Sequence, residues 1–135
     1  YDEVECSSHY ARSMASYGVY LAICGVHYNG PKGELGFAPK ITPEDFKCAF
    51  TTAEAWGSFT QKIRKNYQEN TLDVEYGNLR LTSLSFKIKK GLSKATLFVN
   101  GAEKHITKGK ELKKYKIDFE STLLKANDRL TIKFT

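Results

Sequence analysis

The chain has 135 residues, 41% hydrophobic and 13% aromatic, with a net charge of +6. That length holds one domain with an adequate core, and the composition excludes a disordered or low-complexity protein. No stretch is apolar enough for a membrane span, and no cationic segment precedes an apolar run as a signal peptide requires.

Taken in chain order, the first element is a helix over 8–26 with almost no water-facing side. Its only formally charged residue is Arg12. Ala11, Ala15, Gly18, Ala22 and Gly25 form a stripe of small residues, beside a bulkier one of Tyr10, Met14, Tyr17, Leu21 and Cys24. A helix apolar all round is buried on all sides, and small residues let neighbouring helices approach closely. Nothing later in the chain supplies such neighbours, so the expectation is a piece of a larger protein. Ser7 or Ser8 is the candidate N-cap, and Gly25 lies near the C-terminal end. Residues 28–40 are dense in Gly and Pro and read as a loop. Thr42-Pro43-Glu44-Asp45 carries a helix-start signal good for one short turn.

Beyond it the hydrophobic period becomes two. The strand candidates are 46–52, 57–64, 71–76, 78–89, 95–99, 104–107, 115–119 and 129–134. Tyr76-Gly77-Asn78, Lys90-Gly91, Asn100-Gly101 and Asn127-Asp128 are the expected turns, with Asn100-Gly101 the strongest hairpin signal. The fold class that follows is mainly β: an antiparallel β-sandwich with a buried N-terminal helix.

Between Lys87 and Lys116 ten lysines face only Glu103 and Glu111. They alternate with apolar residues, as in Phe86-Lys87-Ile88-Lys89, which is the outer face of half-buried strands. Arg is absent among them and no exposed aromatics are interleaved, so no nucleic-acid partner is expected. Cys6, Cys24 and Cys48 have no metal-ligand spacing and read as buried thiols of a reducing, cytoplasmic compartment. His27 and His105 are isolated, and neither a metal site nor a cofactor loop is present in the sequence.

Two groups of residues are candidates for chemistry. Glu5, His9 and Arg12, at i, i+4 and i+7, share one helix face if the helix reaches back that far. Charges entering an apolar layer must be paired or meet a polar ligand, so these form either a sugar-binding edge or a buried ion pair with a satisfied core histidine. Glu54 stands beside the sole tryptophan, Trp56, which is either a sugar-stacking platform or a core residue at a strand start.

The run from Glu5-Cys6-Ser7-Ser8-His9-Tyr10-Ala11-Arg12 to Val19 resembles a late-barrel segment of bacterial proteins of glycoside hydrolase family 116, related to non-lysosomal glucosylceramidase. Gly33-Glu34-Leu35-Gly36-Phe37-Ala38-Pro39 through Phe46, and Phe50-Thr51-Thr52-Ala53-Glu54-Ala55-Trp56-Gly57-Ser58-Phe59, are similar to the stretches that follow in those proteins. The resemblance covers roughly residues 1–62. It implies an (α/α)6 barrel and retaining β-glucosidase- or β-xylosidase-type chemistry with two carboxylates, both upstream of this chain. It also implies that Glu5 and Arg12 hold sugar. Residues 1–40 would then be the last helix and loop of that barrel, and 41–135 a C-terminal β-sandwich domain, with the rest of the hydrolase polypeptide and a carbohydrate as partners. The alternative is a non-catalytic β-sandwich module that binds carbohydrate or another partner.

Overall fold

The computed structural model describes residues 8–108 and 116–135, with side chains for 13–107 and 116–135. One helix, α1 (Ser8–Cys24), precedes ten strands. The period-two pattern works as expected: in β3 (Asp45–Thr51), Phe46, Cys48 and Phe50 are buried while the residues between them are exposed. Two sheets result. The first runs β3, β4 (Ala55–Ile63), the first half of β5 (Gln68–Phe86), β10 (Arg129–Phe134), β6 (Ala95–Val99), β7 (Ala102–Lys104). The second runs β1 (His27–Asn29), β2 (Glu34–Phe37), the second half of β5, β9 (Lys116–Lys125), β8 (Ile106–Lys108).

Strand β5 belongs to both sheets, and the bend lies at Gly77. Its φ is +80°, and a Cβ there would fall 1.9 Å from the Glu54 carbonyl oxygen. Only glycine accepts both the conformation and the close approach. A strand that switches sheets at a bend lets the halves pack face to face. Between them, Phe59 of β4 stacks on Phe37 of β2 with centroids 4.0 Å apart and on Phe86 of β5 at 5.9 Å. Phe86 meets Phe134 of β10 edge-on at 6.3 Å. Leu72, Leu97, Leu130 and Ile132 complete one side of this core, and Leu81, Leu84 and Leu124 the other.

The mainly β, sandwich-like architecture is the expected one, with three corrections in detail. Residues 28–40 are not all loop: β1 and β2 are strands, short enough and buried enough (Leu35, Gly36 and Phe37 in succession) to show no alternation. The sheets are not wholly antiparallel, because β2 pairs β5 in parallel, with Gly36 opposite Ser85. A Cβ on Gly36 would lie 2.0 Å from Ser85 Oγ, so the glycine admits that strand. The chain does not reverse at Tyr76-Gly77-Asn78. Thr42-Pro43-Glu44-Asp45 makes the single short turn expected of it, Asp45 N–H to Thr42 C=O at 3.1 Å, and β3 starts there. The Asn100-Gly101 hairpin forms as expected, with both residues at positive φ, as a type I′ turn demands.

Helix α1 is held by its C-terminal end. Gly25, at φ +60°, closes it, and the chain leaving β2 crosses that end. Ala38 N–H donates to the carbonyls of Cys24 and Gly25 (both 3.1 Å), and Lys40 N–H to that of Ile23 (2.9 Å). Cys24 is buried and Leu21 and Ile23 are half-buried, but residues 13–20 are all exposed. No helix of the described residues is long and apolar enough to cross a membrane.

Candidate functional site

The exposed end of α1 meets the sheet at one corner. Thr52 sets that corner up: its hydroxyl accepts from the Ala55 amide (3.1 Å) and donates to the Ala55 carbonyl (2.9 Å), tightening the β3–β4 turn. The register then places Thr51 opposite Trp56 and Trp56 opposite Tyr76, all on the outer face. A bulge follows between Trp56 and Gly57. A Cβ on Gly57 would lie 1.9 Å from the Asp73 carbonyl oxygen, so β4 and β5 are in close backbone contact directly behind the tryptophan.

The consequence is a rigid, water-facing aromatic pair. The rings of Trp56 and Tyr76 lie 6.5 Å apart at 20°, and 50% and 65% of these residues remain exposed. On the other side of Thr51, its hydroxyl meets the Tyr17 hydroxyl at 3.3 Å, and Tyr17 stacks on Tyr20 at 6.4 Å. Tyr20 donates its hydroxyl proton to the Ala49 carbonyl (2.9 Å). Two aromatic pairs, one on α1 and one on β4 and β5, thus flank Thr51 of β3. Glu54 and Glu75 are exposed at the same end, and the Glu54 carbonyl accepts from the Asn78 amide (3.1 Å).

Of the residues picked out in the sequence, Glu54 and Trp56 come together here, and Trp56 lies outside the core. Tyr76, the ring opposite Trp56, went unrecognised because it precedes a Gly-Asn read as a turn. Its signal was present: a hairpin centred on Lys65-Asn66, with one bulge, sets 76 against 56. His9 and Arg12 are on the first turns of α1, where the backbone alone is described, and Glu5 lies outside the described residues, as does Cys6.

Burial pushes Cys48 up to about 12, and burial together with the neighbouring thiols of Cys48 and Cys24 pushes Tyr20 up to about 12. Both are protonated at neutral pH, the opposite of an activated nucleophile. Cys24 and Cys48 are buried free thiols. Elsewhere, Glu34 lies below the usual carboxylate range because the Lys116 ammonium donates to it at 2.7 Å. On the outer face, Asp73 pairs with Arg129 and Glu69 with Lys133, so those charges are mutually satisfied. Among the described residues no group of three His, Cys, Asp or Glu could hold a metal ion.

No protein-family model and no curated protein matches the chain. Solved structures do. The structure of a GH127 β-L-arabinofuranosidase from Geobacillus stearothermophilus T6 matches over 96% of this chain with a TM-score of 0.52 and 15% identity. The fold is one found in glycoside hydrolases. The 4% left unmatched is far shorter than the 17-residue helix, so the likeness takes in α1 as well as the strands. An α-L-rhamnosidase structure from Dictyoglumus thermophilum gives a weaker likeness, a TM-score of 0.46 at 12% identity over 84% of this chain. This chain spans 19% of the first protein's chain and 12% of the second's.

Proposed function

We infer that this chain is the C-terminal portion of a glycoside hydrolase of retaining β-glucosidase or β-xylosidase type, akin to family 116. In this reading residues 1–40 carry the last helix of an (α/α)6 barrel and its lead-out, with β1 and β2 sewn into the accessory domain that residues 41–135 build. The catalytic carboxylates lie on the rest of the polypeptide, in a reducing, cytoplasmic setting that suits the free thiols. His9 and Arg12, on the first turns of α1, contact the sugar together with Glu5.

One observation carries the reading. Along α1, Met14 is 62% exposed, Tyr17 53% and Val19 59%, while its C-terminal turn is anchored by three backbone hydrogen bonds. Soluble domains rarely leave so contiguous an apolar surface to water. An oriented, uncovered helix is what a domain retains when the helices around it belong to another part of the polypeptide. The likeness to a hydrolase chain about five times longer, helix included, agrees.

The test is the upstream reading frame, which should encode a helical region with two candidate carboxylates; a start codon just before Tyr1 contradicts the reading. In the intact enzyme, Arg12→Ala should abolish glycoside turnover and leave the melting temperature nearly unchanged, whereas equal loss of both assigns Arg12 to structure.

A second reading is supported by the exposed Trp56–Tyr76 pair: a non-catalytic module on which these rings, with Glu54, stack against a sugar. The chain alone would then be retarded on an insoluble-polysaccharide gel, and Trp56→Ala would abolish the retardation. Unretarded wild-type chain refutes it.

A further inference from the structure

The lysine-rich segment after β5 does not lie on a strand. β5 ends at Phe86, and residues 87–89 leave the sheet edge held by a buried side chain. Gln68 donates through Nε2 to the Lys87 carbonyl (3.1 Å), and the Lys89 amide donates to Gln68 Oε1 (2.9 Å). One glutamine amide thus replaces a rung of the ladder. Facing this segment, the end of β4 and the 39–44 stretch form a second wall. Gln61 Nε2 donates to the Pro43 carbonyl (2.9 Å), and the Glu44 carbonyl accepts from the Ile63 amide and from Arg64 Nη1 (both 2.9 Å). Gln61 and Gln68 are 1% and 0% exposed and are bonded to each other at 3.3 Å. The two walls are therefore fixed from inside the core before any ligand arrives.

Between them is a cleft of about 490 Å³. Pro39, Pro43, Ile63 and Ile88 give it apolar surface. Its charges are Lys40, Arg64, Lys65, Lys87 and Lys89 against the single carboxylate of Glu44. Two of the cations are engaged: Arg64 meets Asp45 at 3.4 Å, and the Lys89 ammonium donates to the carbonyls of Arg64 (2.9 Å) and Lys65 (3.1 Å). Lys40, Lys65 and Lys87 have no ion pair among the described residues. Like charges converging on a low-dielectric recess repel one another and concentrate anions. The volume suits one or two sugar rings, within the ordinary range of small-molecule sites, roughly 300–1,000 Å³.

We propose that this cleft binds a small organic anion, a sugar-sized ring bearing a carboxylate. Lys40, Lys65 and Lys87 contact the charge, and the Pro39, Pro43, Ile63 and Ile88 surfaces contact the ring. The site lies at the opposite end of β4 from Trp56, about 20 Å away at ~3.3 Å per residue. It does not rest on the hydrolase reading, and a result of either sign leaves that reading standing.

The experiment is an amide-shift titration of the chain with glucuronate, glucose and inorganic phosphate in turn. Glucuronate should shift the amides of Gln61, Ile63 and Ile88, with affinity falling several-fold on raising salt across the range where surface charges are screened. Glucose should leave those amides in place. Phosphate, which has the charge without the ring, should bind at least about fivefold more weakly, in keeping with the share of affinity that apolar burial supplies. The double variant Lys65→Glu/Lys87→Glu should lose glucuronate binding about tenfold or more at an unchanged melting temperature, because both side chains are exposed. Lys104→Glu, which reverses a charge on the distant β7, should retain it. No glucuronate shifts at these amides, phosphate binding as tight as glucuronate, or an equal loss in Lys104→Glu would each overturn the proposal.

Discussion

Gly25→Ala probes how α1 is attached. The residue sits at φ +60°, where an alanine costs about 1 kcal/mol relative to glycine. The added Cβ would also lie 2.4 Å from the Ala38 carbonyl oxygen and 2.9 Å from its nitrogen. Those are backbone atoms and cannot rotate aside, so residues 38–40 must move away from the helix end. That movement unmakes the bonds of two donors, the Ala38 N–H shared between two carbonyls and the Lys40 N–H, each donor worth about 0.5–1.5 kcal/mol net. The total is about 2–4 kcal/mol against docking of the helix. A 17-residue helix without tertiary support is marginal in water, so the loss should appear as undocking of α1 rather than global unfolding. Hydrogen exchange on the isolated chain should show amides 21–24 losing protection by about two orders of magnitude, as this energy implies, with those of β4 and β5 unchanged. Unaltered exchange at 21–24 would refute the attachment described here.

Three further outcomes follow from the same structure. Phe59→Ala removes a fully buried ring stacked on both Phe37 and Phe86, and should cost about 3–5 kcal/mol in urea unfolding; a loss below about 1 kcal/mol would mean the two sheets do not pack there. Tyr20 ionises near 10 when unfolded but near 12 when folded. The unfolded state then binds fewer protons between those values, so the tyrosine's contribution is intact below pH 10 and is lost from there to 12, adding to the loss from Cys48, which is also raised to about 12 and begins at its lower unfolded value; in Tyr20→Phe the fall should be shallower, measured by urea midpoints. Trp56→Ala, half-exposed in the wild type, should cost clearly less stability than Phe59→Ala, and an equal cost would place the indole in the core.

Much of this fold was legible because alternation is a strong signal where one face of a strand is buried and the other wet. β3, β4 and β10 follow it nearly to the residue. Two kinds of element escaped. Strand β2 is buried at three consecutive positions and so carries no alternation, and its pairing with β5 is long-range and parallel. Gly77 has the composition of a turn, yet it serves as a bend within one 19-residue strand, because the Glu54 carbonyl occupies the space where a Cβ would be. The site was half-legible for the same reason. Composition marked Trp56 and Glu54, but only register brings Tyr76 beside them. Lys87 and Lys89 read as a strand's outer face, since nothing local reveals that Gln68 pulls their backbone out of the sheet.

The central claim is that α1 belongs among helices supplied by the rest of a longer polypeptide. Hydrogen exchange of residues 13–20 tests it most directly, measured in this chain alone and in the intact protein. If α1 sits among those helices, these amides are markedly less protected in the isolated chain, where their side chains face water, than in the intact protein. Equal protection of these amides in both would contradict it.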